Sequence, residues 1–290
     1  MDHALFTGVC TALVTPFIGN QLNYPMVDRL LERQITAGVP AVVLAGTTGE
    51  SPTLSDEEKI KLFQRGKAFA QDRCLIIAGT GSNSTEHTIK LSIEAEKAGV
   101  DALLVVAPYY NKGNAEGLFL HFASVAQAVS IPIILYNVPS RTGVDIPVEV
   151  YERLSAIPNI AGIKEACSDI TKITKIKKSC GSNFAIWSGN DDQAVPAIAL
   201  GSAGVISVVS NLFPSETATM TNAALDGDFD TAAAYQTQLS DIIDLLFSEV
   251  NPIPVKYAMR HLGFDCGMCR LPLGALSYGI RQKIDTYFRA

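Results

Sequence analysis

Charge is scarce in this chain. Asp, Glu, Lys and Arg make up 18% of its 290 residues, below the usual quarter. So thin a charged shell implies large buried surfaces, subunit contacts among them. Basic residues are the minority, 23 against 29, for a net charge of −6. That argues against a nucleic-acid partner, because neutralising phosphates takes a basic patch. Six cysteines are too dilute for a disulfide scaffold. Met1-Asp2-His3 offers no basic leader and no long apolar run follows it, which argues against a secretory signal. One uncharged stretch, residues 193–215, has the length to span a bilayer. Pro196, Gly201, Gly204 and Asn211 interrupt it, so it reads as a buried helix followed by a buried strand. The expectation is a cytoplasmic protein with neither membrane nor nucleic-acid partners.

What the chain does have is a regular series of short apolar runs. They cover residues 9–14, 41–45, 75–78, 102–107, 133–136, 160–164, 184–187 and 204–209. Each is nearly continuous rather than alternating, the mark of parallel strands covered on both faces. Helical segments lie between them. Ser55-Asp56-Glu57-Glu58 is a capping box. Asn83 with Glu86, and Ser168-Asp169, read as further helix starts. Gly38 and Gly99 read as helix stops. Ala37-Gly38-Val39, Ala98-Gly99-Val100 and Ala203-Gly204-Val205 echo one another, each leading into a strand. Eight such units predict an α/β fold, a (β/α)₈ TIM barrel over residues 1–225. A doubly wound sheet is the alternative. It often carries a G-x-G-x-x-G turn after its first strand, and Thr15-Pro16-Phe17 stands there instead. Beyond 225 strand signals cease. Residues 229–247, 254–262 and 272–288 read as helices of a C-terminal helical domain, 226–290, packed on the barrel.

In such a barrel chemistry sits at the C-terminal strand ends. Lys164 ends the sixth run. Burial there disfavours an ammonium, and a neutral amine can attack a ketone to form a Schiff base. The bland alternatives are a lysine that snorkels to solvent or pairs with Glu165. Tyr136, Thr47 and Tyr110 end other runs, and hydroxyls near an amine can relay protons. Thr47, Thr48 and their flanking glycines offer donors for a carboxylate. Phosphate is the rival ligand, but there is no Gly-Lys-Ser/Thr loop. Asp191 and Asp192, in the loop after the seventh run, would repel a phosphate. Arg141 has the fork for a carboxylate, although alone it reads as a surface arginine. No metal is expected: His3, His87, His121 and His261 fall at no strand end. Cys266 and Cys269 form a lone C-x-x-C, more readily coincidence than a redox or zinc site.

Gly46-Thr47-Thr48-Gly49-Glu50, residues 136–143 (Tyr-Asn-Val-Pro-Ser-Arg-Thr-Gly) and Gly162-Ile163-Lys164-Glu165 together resemble the dihydrodipicolinate synthase family, over essentially the whole chain. The resemblance implies condensation of pyruvate with L-aspartate 4-semialdehyde at the entrance of the diaminopimelate and lysine pathway, without a cofactor. It makes Lys164 the Schiff-base lysine and Tyr136, Thr47 and Tyr110 the proton relay. Thr47 and Thr48 match the pyruvate-carboxylate contacts, and Arg141 the residue holding the aldehyde substrate's carboxylate. Gly189 and Ile206 match backbone groups lining the site. Most members are homotetramers, dimers of dimers, with the equivalent of Tyr110 supplied by a neighbouring subunit. Lysine-inhibited members carry a histidine and a glutamate where this chain has Lys59 and His87, beside Ser51, Asn83 and Tyr109. That departure predicts weak or absent lysine inhibition.

Three rivals remain at this point. A related aldolase acting on N-acetylneuraminate or keto-deoxy-sugar acids would keep Lys164 and Tyr136, but such lyases generally lack an arginine at position 141. A catalytically silent carboxylate sensor would have no need of the full lysine–tyrosine–threonine set. A phosphate-binding barrel isomerase is disfavoured by Asp191 and Asp192.

Overall fold

A computed structural model describes residues 4–289. Eight parallel strands close into a barrel. They are β1 (Gly8–Ala12), β2 (Ala41–Leu44), β3 (Leu75–Gly79), β4 (Ala102–Val106), β5 (Ile133–Asn137), β6 (Ile160–Glu165), β7 (Ala185–Ser188) and β8 (Gly204–Ser207). β8 pairs with both β7 and β1, which closes the ring. All eight apolar runs are strands, and the reason for their continuity is visible in β2. Ala41 and Val43 belong to the core inside the barrel, Val42 and Leu44 to the larger core under the helices. Both faces of the strand are dry, so neither needs polar residues.

The helical shell follows its local signals with two shifts. Helix Asp56–Ala70 carries the expected capping box, Glu58 N–H donating to Ser55 Oγ at 3.2 Å and Ser55 N–H to Glu58 Oε2 at 2.9 Å. Gly38 and Gly99 take φ of +75° and +82°, left-handed as their stop role requires. Helix Thr85–Lys97 is capped by Ser84, not Asn83. Helix Thr171–Cys180 begins later than Ser168-Asp169 suggested, with Asp169 Oδ1 accepting from the Thr171 N–H at 3.0 Å. A two-stranded hairpin, Phe17–Ile18 with Gln21–Leu22, is too short to leave a sequence pattern.

The uncharged stretch is helix Ala194–Ala199 followed by β8, and no described helix is long and apolar enough to cross a membrane. The C-terminal region contains helices Phe229–Phe247, Ile253–Met259 (continued by the 3₁₀ turn Arg260–Leu262) and Tyr278–Tyr287. The third helix was expected from Pro272. Residues 272–277 are irregular instead, where Pro272 and Gly274 disfavour helix. A buried seam joins this region to the barrel. Lys256 Nζ lies 2.8 Å from Glu50 Oε1, at 2% and 0% side-chain exposure. Lys256 also donates to the carbonyls of Thr15 and Met268, and the Arg270 N–H donates to Glu50 Oε2.

Candidate active site

The two-residue period of β6 decides what Lys164 does. It registers with Tyr136 on β5 and Trp187 on β7, both members of the inner core. Its neighbours Ile163 and Glu165 face the other way. Lys164 is 5% exposed, so it does not snorkel. Its Nζ lies 4.5 Å from the centroid of the Tyr136 ring. Nor does it pair with Glu165. That carboxylate is occupied on the outer face by Asn137 Nδ2 at 2.7 Å, the Cys167 N–H at 2.9 Å and Tyr151 Oη at 3.2 Å, with Lys172 Nζ at 3.5 Å. Burial first, then the Glu165 charge, pushes the Tyr151 phenol well up, which keeps it a donor.

Gly189 follows β7 and presses on the same lysine. A Cβ there would stand 3.0 Å from Lys164 Cε and 2.6 Å from Ala166 Cβ. Only glycine leaves room for the lysine stem. Ile206, fully buried on β8, registers with Cys10 on β1. Burial, then Cys74, pushes the Cys10 thiol well up, with Lys164 pulling it down. Cys10 is therefore an apolar wall beside the amine rather than a competing nucleophile.

The loop after β2 brings Thr47, half-buried, and Thr48, buried, to the mouth. Thr48 Oγ1 accepts from Asn251 Nδ2 at 2.9 Å, and the Asn251 carbonyl accepts from Arg141 Nη2 at 3.3 Å. Arg141 sits in the short helix Pro139–Thr142 after β5. One residue of the C-terminal region thus links the hydroxyl and the guanidinium. Asn251 stands at no strand end, and only its place between two helices marks it in the sequence.

Tyr110 stands apart. It is 88% exposed and takes φ of +73°, so a single chain leaves its phenol in solvent. Asp191, in the loop after β7, is buried, and its carboxylate occupies backbone donors that a phosphate would use. Its Oδ2 accepts the Val208 and Val209 N–H groups, both at 2.9 Å, just after β8. Burial pushes its carboxyl up, while Ser207, those amides and Lys164 hold it down. Asp192 is exposed beside a cavity of about 520 Å³, lined in part by Ser140, Ala166, Cys167 and Asn190.

Away from the mouth, His87 Nε2 lies 2.9 Å from Asp56 Oδ2. Lys59 is buried, which lowers its amine below the ordinary value, against the pull of Asp56. Cys266 and Cys269 are unbridged, and burial pushes both thiols up to about 12. They are protonated and weakly nucleophilic. His3 lies outside the described residues.

The chain is similar to proteins of known kind. Residues 5–290 match the model of the Dihydrodipicolinate synthetase family. A 4-hydroxy-tetrahydrodipicolinate synthase of Exiguobacterium is 45% identical over 97% of this chain and 96% of its own. The crystal structure of dihydrodipicolinate synthase from Aquifex aeolicus superposes with a TM-score of 0.96 at 42% identity, covering 98% of this chain and 97% of that one. The synthase from Acinetobacter baumannii, 38% identical with a TM-score of 0.95 and 98% coverage of both chains, was solved complexed with pyruvate. That from Cyanidioschyzon merolae was solved with lysine bound.

Proposed function

Since this chain belongs to the dihydrodipicolinate synthetase family, and its activity is that of a 4-hydroxy-tetrahydrodipicolinate synthase, we propose that it joins pyruvate to L-aspartate 4-semialdehyde through an imine on Lys164. One observation carries this reading. Lys164 is a nearly buried amine on the inner barrel face, lying over a tyrosine ring and taking part in no ion pair among the described residues.

The Lys164 amine adds to the ketone carbon of pyruvate, and water leaves as the imine forms. The protonated imine nitrogen then serves as electron sink, so a methyl proton is lost and an enamine results. The enamine carbon attacks the aldehyde. The product's own amine displaces Lys164 and closes the ring. Tyr136, Thr47 and Tyr110 relay the protons. Thr47 and Thr48 hold the ketoacid carboxylate, and Arg141 holds that of the aldehyde substrate. Gly189 leaves space for the lysine, and Gly189 and Ile206 present backbone groups to the site. The chemistry asks for neither metal nor organic cofactor.

A partner subunit completes the relay in this reading. The bare phenol of Tyr110 supports an assembly in which it enters a neighbour's mouth, as in a homotetramer built as a dimer of dimers. Mixing Tyr110→Phe subunits with Lys164→Ala subunits should then restore activity that neither variant has alone. The work is done in the cytoplasm, at the entrance of diaminopimelate and lysine synthesis. Lysine inhibits weakly or not at all, because Lys59 adds a cation beside the place for an effector's ammonium and His87 brings no carboxylate.

The direct experiment is borohydride reduction in the presence of pyruvate, followed by peptide mapping. A reduced pyruvate adduct on Lys164 is expected. An unmodified Lys164 under saturating pyruvate would reject the reading.

A further inference from the structure

The C-terminal helical region enters the mouth at Asn251, which is 4% exposed. Its side-chain Nδ2 donates to Thr48 Oγ1 at 2.9 Å. Its other amide atom, Oδ1, is buried and has no partner among the described residues. A buried acceptor without a donor is costly, so an apolar side chain would serve packing better. The amide's value must lie in what its N–H does.

A threonine hydroxyl has one proton to give and lone pairs to receive. Buried hydroxyls are free rotors unless a neighbour fixes them. By donating to Thr48 Oγ1, Asn251 takes the acceptor side of that oxygen and leaves its proton to be given elsewhere. A ketoacid carboxylate offers acceptors and no donors, so it requires that arrangement.

We infer that Asn251 is a positioning residue for pyruvate, orienting the Thr48 hydroxyl as a donor to the ketoacid's carboxylate. The inference rests on the Schiff-base reading and adds to it a residue outside the barrel. The Arg141 limb of the same residue uses the main-chain carbonyl. Side-chain variants therefore separate the two limbs.

The experiment is a pyruvate titration of borohydride trapping on the full-length protein, with KM for both substrates and Tm measured alongside. Asn251→Ala should raise half-saturation by pyruvate about tenfold. It should leave KM for the aldehyde within about twofold, because the Arg141 contact is untouched. Its Tm should hold or rise, since the unpaired acceptor is gone. Asn251→Asp keeps the size of the side chain but draws the Thr48 proton to itself, beside a substrate carboxylate. It should therefore bind pyruvate more weakly than Asn251→Ala does. In a Thr48→Val background, Asn251→Ala should add no further loss.

A packing role gives the reverse order, with Asp near wild type and Ala impaired at lowered Tm, and that result would overturn the inference. So would an additive loss in the Thr48→Val background. If Asn251→Ala does not fold, Asn251→Ser carries the same expectation. Wild-type protein that traps no pyruvate refutes the Schiff-base reading itself; trapping that is indifferent to Asn251 refutes the inference alone.

Discussion

Two lysines are buried at the same end of this barrel and are held in opposite ways. Lys256, at the seam with the helical region, is 2% exposed and meets three acceptors, Glu50 Oε1 and the carbonyls of Thr15 and Met268. It also lies 4.4 Å from the centroid of the Phe17 ring. Lys164, in the mouth, is 5% exposed, lies over the face of Tyr136 and is in no ion pair among the described residues. Burial is common to both, so burial does not make an amine reactive. What differs is company. Three acceptors answer the three donors of Lys256 and make it a structural cation. Among the described residues Lys164 has no such set of acceptors, which suits the imine proposed on its nitrogen.

The contrast is sharpest in a pair of substitutions. Lys164→Ala should lower kcat by about a thousandfold or more, with Tm held or raised, since it removes a buried amine without an ionic partner. Lys256→Met should do the opposite, leaving Glu50 uncompensated and lowering stability by about 3–5 kcal/mol. Protein that remains folded at low temperature should still trap pyruvate. Denaturation curves and borohydride trapping measured on both variants check this. Equal damage to stability and to trapping in both would erase the distinction between the two lysines.

Tyr136→Phe keeps the ring over Lys164 and removes only the hydroxyl. It should slow turnover about a hundredfold or more while pyruvate can still be trapped. Turnover at the wild-type rate would take Tyr136 out of the relay.

Another buried base, His121, belongs to neither class. Burial pulls it from 6.5 down to about 4. Between those values the unfolded chain binds the extra proton. Stability should therefore fall as pH drops through that window, by at most about 3 kcal/mol. Denaturant midpoints measured from pH 7 to pH 4 should flatten in His121→Phe. The smallest effect is an expected null: lysine should not reach half-inhibition in the sub-millimolar range, and a titration that does so would show that Lys59 and His87 do not disable an effector site.

Much of the barrel was legible because parallel strands are dry on both sides, and runs such as 41–45 leave no other reading at that length. The place of Lys164 was legible for the same reason, since it closes an apolar strand; that it neither snorkels nor pairs with Glu165 was visible only in the structure. Thr48 was read as a carboxylate donor from its loop, whereas Arg141 carried little signal alone and was reached through the resemblance of its motif. Asn251 was not legible at all. The partners of Asp191 were not legible either: in the sequence it is a loop carboxylate, and only the fold brings the Val208 and Val209 amides to its Oδ2. The helix expected from Pro272 starts only at Tyr278, after Ser277 at its N-cap position, because Pro272 and Gly274 disfavour helix despite the leucines and alanine beside them.

The sequence by itself determined the eight strands and the helical segments between them. These follow from apolar runs dry on both faces and from turn signals a few positions away, all of them local. The closure of the ring and the inward face of Lys164 are matters of strand pairing. Only the tertiary structure decided which lysine would be saturated and which left free. Lys256 finds Glu50 across 206 positions of chain, and Asn251 finds Thr48 across 203. The bonding of a buried polar atom depends on whatever the fold brings within 3 Å or so, and no local pattern records that distance.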